Sequence, residues 1–289
     1  MGIVYLNGEY LPVERAQVSV MDRGFVFGDG VYEVIPVYGG RLFRLEQHLQ
    51  RLARSLTGIR LANPLSDDGW RQCLQEVVAR NGGGDQSVYV QITRGIAPRD
   101  HAFPKETTPT VYAASSPLKP LAADVAEQGV GAITLQDIRW QRCDIKAITL
   151  LPNILLRQQA IDQGAVEAIL VRDGQVNEGA ASNLFMVKGG VLVTPPKGPF
   201  LLPGITRDLI LELAAANGIA HREAKISPQD LTAAEEVWLT SSTREILPVT
   251  RLDQRPVADG KPGPLWRRMM GLYQDYKQGV RERGEAPAA

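Results

Sequence analysis

Two-residue turn signals constrain this chain most. Asn7-Gly8, Gly39-Gly40, Asp173-Gly174 and Gly189-Gly190 each separate two short runs rich in apolar or β-branched residues. Such pairs accept the positive φ that a tight hairpin requires, so each joins two antiparallel strands. Between the hairpins lie helical patterns. Leu45, Leu49, Leu52 and Leu56 recur at helical spacing, and further amphipathic stretches run over about 68–80, 152–163, 206–217 and 264–278. Ser227-Pro228-Gln229-Asp230 opens a shorter helix. Hairpin-linked strands mixed with helices predict an α+β fold and argue against a doubly wound parallel sheet.

At 289 residues with 44% hydrophobic content, the chain holds one large domain or two medium ones. The proline-bounded stretch from Ser115 to Pro120 is the best linker. It predicts domains over 1–116 and 122–289 joined through 117–121, and the polar ending from Arg281 is expected to fray. Acidic and basic residues balance at 32 each, which points to no nucleic-acid or polyanion partner. Three scattered histidines and the distant Cys73 and Cys143 form no metal-ligand spacing and no disulfide framework. The N-terminus has no secretory pattern, and no apolar run is long enough to span a membrane. A cytoplasmic protein without a metal is expected.

Only 8 of the 32 basic residues are lysine, and Lys146 is the only lysine between Lys119 and Lys188. Lysine, unlike arginine, can give up its proton and attack a carbonyl carbon. Alone, Lys146 reads first as a surface residue before a helix. Leu202-Pro203-Gly204-Ile205-Thr206 is a glycine turn feeding a helix, whose free N–H groups suit a phosphate. Thr240-Ser241-Ser242-Thr243 offers further hydroxyls, or simply a polar strand end. Glu178, among Gly179, Ala180, Ala181 and Ser182, has room for a flat ligand beside it; the bland alternative is a turn glutamate facing water. Arg51 lies on the first helix, where a solvated arginine is the common case. Arg99 and His101 alternate in an extended loop, so both point one way and suit a carboxylate.

A lysine for an aldehyde, a carboxylate for a ring nitrogen and a phosphate cup together describe pyridoxal 5′-phosphate. At this point the chain closely resembles the class IV (fold type IV) pyridoxal-phosphate aminotransferases, and among them the transaminases of D-amino acids. The motifs are Asp22-Arg23-Gly24 to Val34, Thr93-Arg94-Gly95 to His101, Arg139 to Lys146, Asn177-Glu178-Gly179 and Leu202 to Arg207. The resemblance implies a smaller N-terminal and a larger C-terminal α/β domain with the cofactor between them. It makes Lys146 the Schiff-base lysine and Glu178 the partner of the pyridine nitrogen. Arg51, Gly204, Ile205, Thr206, Ser241 and Ser242 fall in the phosphate cup, and Leu202 on the ring face. Tyr32, Arg99 and His101 match the substrate-carboxylate trap, with Arg99 and His101 supplied across a homodimer interface.

The implied reaction is ping-pong exchange between D-alanine or D-glutamate and 2-oxoglutarate or pyruvate. Branched-chain L-amino-acid aminotransferases, aminodeoxychorismate lyases and (R)-amine transaminases share the pattern and are the alternatives. Three positions depart from the D-amino-acid pattern. Ala180 and Ala181 stand where serines are usual, and Pro36 where a basic residue is common. Leu202-Pro203-Gly204 is similar to the branched-chain enzymes.

Overall fold

A computed structural model describes residues 2–283 and divides the chain into two compact units. The first comprises the chain up to Lys119, together with Ile145–Leu150 and the stretch beginning at Gln278. The second comprises Pro120–Asp144 and Leu151–Lys277. The division at Lys119 falls inside the expected linker. Two segments of the expected second domain nevertheless group with the first unit, and one of them carries Lys146.

The first unit runs β1 (Ile3–Leu6), β2 (Glu9–Pro12), α1 (Arg23–Phe27), β3 (Gly30–Tyr38), β4 (Arg41–Leu42), α2 (Leu45–Gly58), α3 (Asp67–Arg80), β5 (Gln86–Thr93) and β6 (Thr110–Pro117). Its six strands form one antiparallel sheet in the order β2-β1-β6-β5-β3-β4. Asn7 and Gly8 both take positive φ, as the hairpin signal requires. Alternation along β3 sends Val31, Glu33 and Ile35 into the core with Leu45, Leu49, Leu52 and Leu56 of α2 and Trp70, Leu74 and Val77 of α3. The opposite face presents Tyr32, Tyr89 and Tyr112, whose rings stack in a tilted row. Helix α1 was not legible in the sequence. Its glycine-rich stretch reads as a turn, but Asp22 caps it by accepting from the Gly24 N–H.

The second unit runs α4 (Ala123–Gln128), β7 (Val130–Gln136), α5 (Leu151–Asp162), β8 (Glu167–Arg172), β9 (Gln175–Gly179), β10 (Asn183–Lys188), β11 (Val191–Thr194), α6 (Ile205–Ala216), β12 (His221–Glu223), α7 (Pro228–Thr232), β13 (Glu236–Ser241), β14 (Glu245–Leu252), β15 (Arg255–Pro256) and α8 (Pro264–Arg283), whose residues from Gln278 group with the first unit. Its strands form a mixed sheet in the order β12-β11-β10-β13-β14-β7-β8-β9, with β15 on β14. Strand β14 is not among the strands expected from sequence, and its Pro248 is a residue that disfavours a central strand. The structure accommodates it: Pro248 faces Trp238 of β13, and pairing with β7 begins only at Val249. Helix α8 continues through Arg283 instead of fraying at Arg281, and the rest of that expectation, 284–289, lies outside the described residues.

Candidate active site

In the first unit the segment Ile145–Ile148 lies along the start of β3. Tyr32 donates its N–H to the Lys146 carbonyl at 2.9 Å, and Ile148 donates to Gly30 at 3.1 Å. The Lys146 N–H reaches Ser55 Oγ on α2 at 3.2 Å. Ile145 and Ala147 turn into the core, so the alternating side chain of Lys146 turns out of it. Its Nζ sits 4.1 Å from the centre of the Tyr32 ring. The lysine is half-buried and braced at both backbone groups, which is unlike a surface lysine before a helix.

Beneath it lies a buried polar cluster on the core face of α2. Arg51 donates from Nε and Nη2 to the two oxygens of Glu33, each at 2.8 Å. His48 Nδ1 meets the same carboxylate at 2.7 Å. Burial works to raise the Glu33 pKa, but Arg51 and then His48 overcome it and hold the carboxylate well below its usual range. Burial also holds His48 below its ordinary value, so a neutral ring donating from Nδ1 fits the contact. Arg51 is therefore an oriented, buried arginine and not a solvated one. Sequence reasoning found Arg51 but not Glu33 or His48. The signal was available: His48, Arg51 and Ser55 share the helical face of Leu45, Leu52 and Leu56.

In the second unit Glu178 lies in β9 and is only 3% exposed. The water-facing turn glutamate is thus excluded. Its Oε1 accepts from Arg139 at 2.6 Å, and its Oε2 accepts from Asn183 Nδ2 at 3.0 Å and the Leu202 N–H at 3.1 Å. Burial pushes its carboxyl up to about 7, against the pull of Arg139. Asp137 grips Arg139 from the other side, at 2.9 and 3.0 Å.

Asn183 gathers the remaining residues. Its Nδ2 also donates to the Leu202 carbonyl at 2.8 Å, and it pairs in the ladder with Thr240. A Cβ on Gly204 would stand 1.9 Å from Asn183 Oδ1, so only glycine lets the start of α6 come this close. Helix α6 begins at Gly204 with no side-chain cap, and the buried Ile205 and Thr206 form its first turn. Thr240 Oγ1 is buried with no hydrogen-bond partner among the described residues. Ser241 ends β13, and Ser242 and Thr243 turn into β14. The uncapped N–H groups of α6 and the hydroxyls of Thr206, Thr240, Ser241 and Ser242 are donors of the kind that suits a phosphate, and the buried Glu178 carboxylate, which accepts from the Leu202 N–H, is an acceptor of the kind that suits a flat basic ring. These residues fit pyridoxal 5′-phosphate. Asn183 and Arg139 were not singled out from sequence, because neither residue type announces the role of holding a carboxylate.

Arg99 and His101 stand on an exposed loop of the first unit. Both lie over Phe27, with the guanidinium 5.3 Å and the imidazole 5.4 Å from its centre. The alternation thus brings them to one place. Arg23 anchors the loop by donating to the Asp100 carbonyl at 2.6 Å, and Asp29 holds Arg23 and Arg94 together. Phe25 and Ile96 nearby in sequence are 75% and 60% exposed, unusual for such side chains on a solvated surface.

The amino-transferase class IV family matches residues 30–252, and the chain belongs to that family. Among its relatives are the D-alanine aminotransferase of Bacillus licheniformis, 40% identical over 94% of this chain and 96% of the relative, and that of Staphylococcus aureus (strain COL), 39% identical over 94% and 97%. Solved structures with the same fold include the branched-chain amino acid aminotransferase of Escherichia coli, at TM-score 0.91, 31% identity and coverage of 99% of this chain and 96% of that one. The branched-chain amino acid aminotransferase of Thermoproteus uzoniensis, solved with norvaline, matches at TM-score 0.88 and 29% identity, over 99% and 98%. A further branched-chain enzyme, solved with pyridoxamine 5′-phosphate, matches at TM-score 0.92 and 27% identity, over 98% and 96%. The protein is an aminotransferase with the α+β architecture of that class.

Proposed function

We propose that this aminotransferase moves the amino group of D-amino acids, such as D-alanine or D-glutamate, to 2-oxo acids with pyridoxal 5′-phosphate. The observation that carries the reading is the convergence of Arg99 and His101 on Phe27, a ready grip for a substrate carboxylate. Relatives named for D-alanine, at about 40% identity over nearly the whole chain, support the same hand of substrate.

Pyridoxal 5′-phosphate, when bound, supplies an aldehyde carbon and a ring that withdraws electrons from the substrate. Lys146 would hold that aldehyde carbon, and its free Nζ would carry the proton away from the substrate α-carbon. Tyr32 lies against Nζ and limits where it moves. Glu178 would hold the ring nitrogen and keep it protonated; Arg139 and Asn183 fix the carboxylate's plane. Arg51, Gly204, Ile205, Thr206, Ser241 and Ser242 would hold the phosphate, and Leu202 would pack on the ring. Arg99 and His101 of the partner subunit complete the carboxylate trap with Tyr32. The exposed Phe25 and Ile96 on one unit, and Trp140, Ile154 and Leu155 on the other, give a homodimer its apolar contacts. The two cysteines, both free and buried, suit a reducing cytoplasm.

The structural likeness to branched-chain enzymes and the Leu202-Pro203-Gly204 stretch favour a second reading, transfer from L-leucine and its kin. Steady-state assays separate the two. D-alanine with 2-oxoglutarate is expected to give pyruvate and D-glutamate, with L-leucine at least ~100-fold poorer in kcat/KM. An L-leucine rate equal to or above that of D-alanine would sink the D-amino-acid reading.

A further inference from the structure

Glu178, Arg139, Asp137 and Arg172, all in the second unit, stand in one row of charges of alternating sign. Arg139 donates to Glu178 from Nη1, and from Nε and Nη2 to the two oxygens of Asp137. Arg172 Nη2 meets Asp137 Oδ2 from the outer side at 3.2 Å. The same guanidinium donates to the Arg139 carbonyl at 2.7 Å and lies 4.7 Å from the centre of the Phe200 ring. Asp137 directly follows β7, and its N–H donates to the Val171 carbonyl of β8 at 2.8 Å, one residue before Arg172. The Asp137 side chain is entirely buried, and Arg172 ends the row at 11% exposure.

The row bears on Glu178 by charge. A carboxylate matched by an arginine at 2.6 Å has little field left for a second cation. Asp137 gives both its oxygens to that arginine and takes up much of its charge. Arg172 opposes Asp137 in turn. Buried charges are weakly screened, so a change two positions along the row reaches Glu178. Ionisation follows the same order. Burial works to raise the Asp137 pKa, but Arg139 and then Arg172 hold it below its ordinary value. For Glu178 burial raises it, Arg139 pulls it down, and Asp137 adds to the rise. Cys143, which also interacts with Arg139 and Glu178, is pushed up to about 11 by burial and stays a neutral thiol.

We propose that Asp137 is a positioning residue for the transfer reaction: acting through Arg139, it leaves Glu178 the negative charge that holds a protonated ring nitrogen, and Arg172 sets how much. The part that concerns the ring rests on the transamination reading; the effect on Glu178 rests on the row alone. The outer two residues act with opposite sign. Loss of the Asp137 charge leaves Arg139 to neutralise Glu178. Loss of the Arg172 charge strengthens Asp137 and makes Glu178 a stronger base.

The first measurement is made on the apoprotein. NMR of isotope-labelled glutamate carboxyls follows the titration of Glu178, whose resonance is identified by its absence from Glu178→Gln. Asp137→Asn is expected to lower the midpoint from about 7 by roughly one pH unit, and Arg172→Gln to raise it by less. Asp137→Glu keeps the charge and should restore most of the wild-type value. The second measurement uses holoenzyme loaded with pyridoxal 5′-phosphate labelled at the ring nitrogen. In Asp137→Asn the nitrogen resonance should move toward its unprotonated position, and kcat should fall roughly 10-fold with KM for the oxo acid within about twofold. In Arg172→Gln the resonance should stay protonated. Midpoints that stay put in both variants, or move the same way, would overturn the proposal in favour of a purely structural row. A wild-type nitrogen resonance in Asp137→Asn would also overturn it, because the charge would then not reach the ring. If Asp137→Asn does not fold, Arg172→Gln decides: a raised midpoint supports the proposal, and an unchanged or lowered one overturns it. If the wild-type enzyme transaminated nothing, the transamination reading would fail separately, and the apoprotein titrations would still decide whether Asp137 governs Glu178.

Discussion

Lys146→Ala is expected to lower kcat by about 10⁴-fold or more while leaving the protein folded. The side chain is half-buried and its one described side-chain contact is with the Tyr32 ring, worth about 0.5–1 kcal/mol. Its bracing runs through the backbone: the carbonyl accepts from Tyr32 and the N–H reaches Ser55. Truncation beyond Cβ leaves both bonds in place. Lys146→Arg separates charge from proton transfer, because a guanidinium keeps its proton and should fail almost as badly. Thermal melting together with single-turnover rates checks both variants. Retention of turnover within tenfold of wild type in Lys146→Ala would remove the lysine from the mechanism.

Glu178→Gln is the second large effect. The amide cannot hold a proton on a ring nitrogen by charge, so kcat is expected to fall by roughly 10²- to 10³-fold. The fold carries a matching pH signature. A buried carboxyl with its pKa raised from 4.5 to about 7 favours the protonated form in the folded state. Its contribution to apoprotein stability is present in full below the ordinary value and is lost as pH rises through about 7. Glutamine does not titrate, so the variant should show a flatter dependence of unfolding midpoint on pH across that window. If Glu178 holds the protonated ring, bound cofactor offsets the cost of ionising it and should flatten the wild-type curve as well. A glutamine variant with wild-type kcat and an unchanged pH profile would show that Glu178 faces something other than the ring.

The sequence disclosed most where a residue type and its spacing were both unusual. Lysine in an arginine-rich chain, a glycine before an apolar helix and alternating Arg99 and His101 each had a chemical reason visible in one dimension. Residues that act by holding others were not visible. Asn183 touches Glu178 and Leu202, pairs with Thr240 and crowds Gly204, yet an asparagine at a strand start reads as a turn residue. Glu33 looked like one more polar position in a β-rich run, because its partners Arg51 and His48 come from a helix that folds back over the strand. The same limit applies to the fold. The hairpins and long helices followed from local patterns, whereas β14 contains a proline whose cost depends on which neighbour it pairs with. The return of Ile145–Leu150 to the first unit is a long-range event that no local window encodes. It sets Lys146 against β3 instead of leaving it at the head of α5.

The central claim is that this site removes a proton from the α-carbon of a D-amino acid. The most direct measurement is a half-reaction: holoenzyme mixed separately with D-alanine, D-glutamate, L-leucine and (R)-1-phenylethylamine, with no oxo acid present, while the cofactor's visible absorption band is followed. The expected result is rapid loss of the band with both D-amino acids, release of one equivalent of the 2-oxo acid per site, and little change with the other two. Loss of the band with L-leucine and none with D-alanine would contradict it.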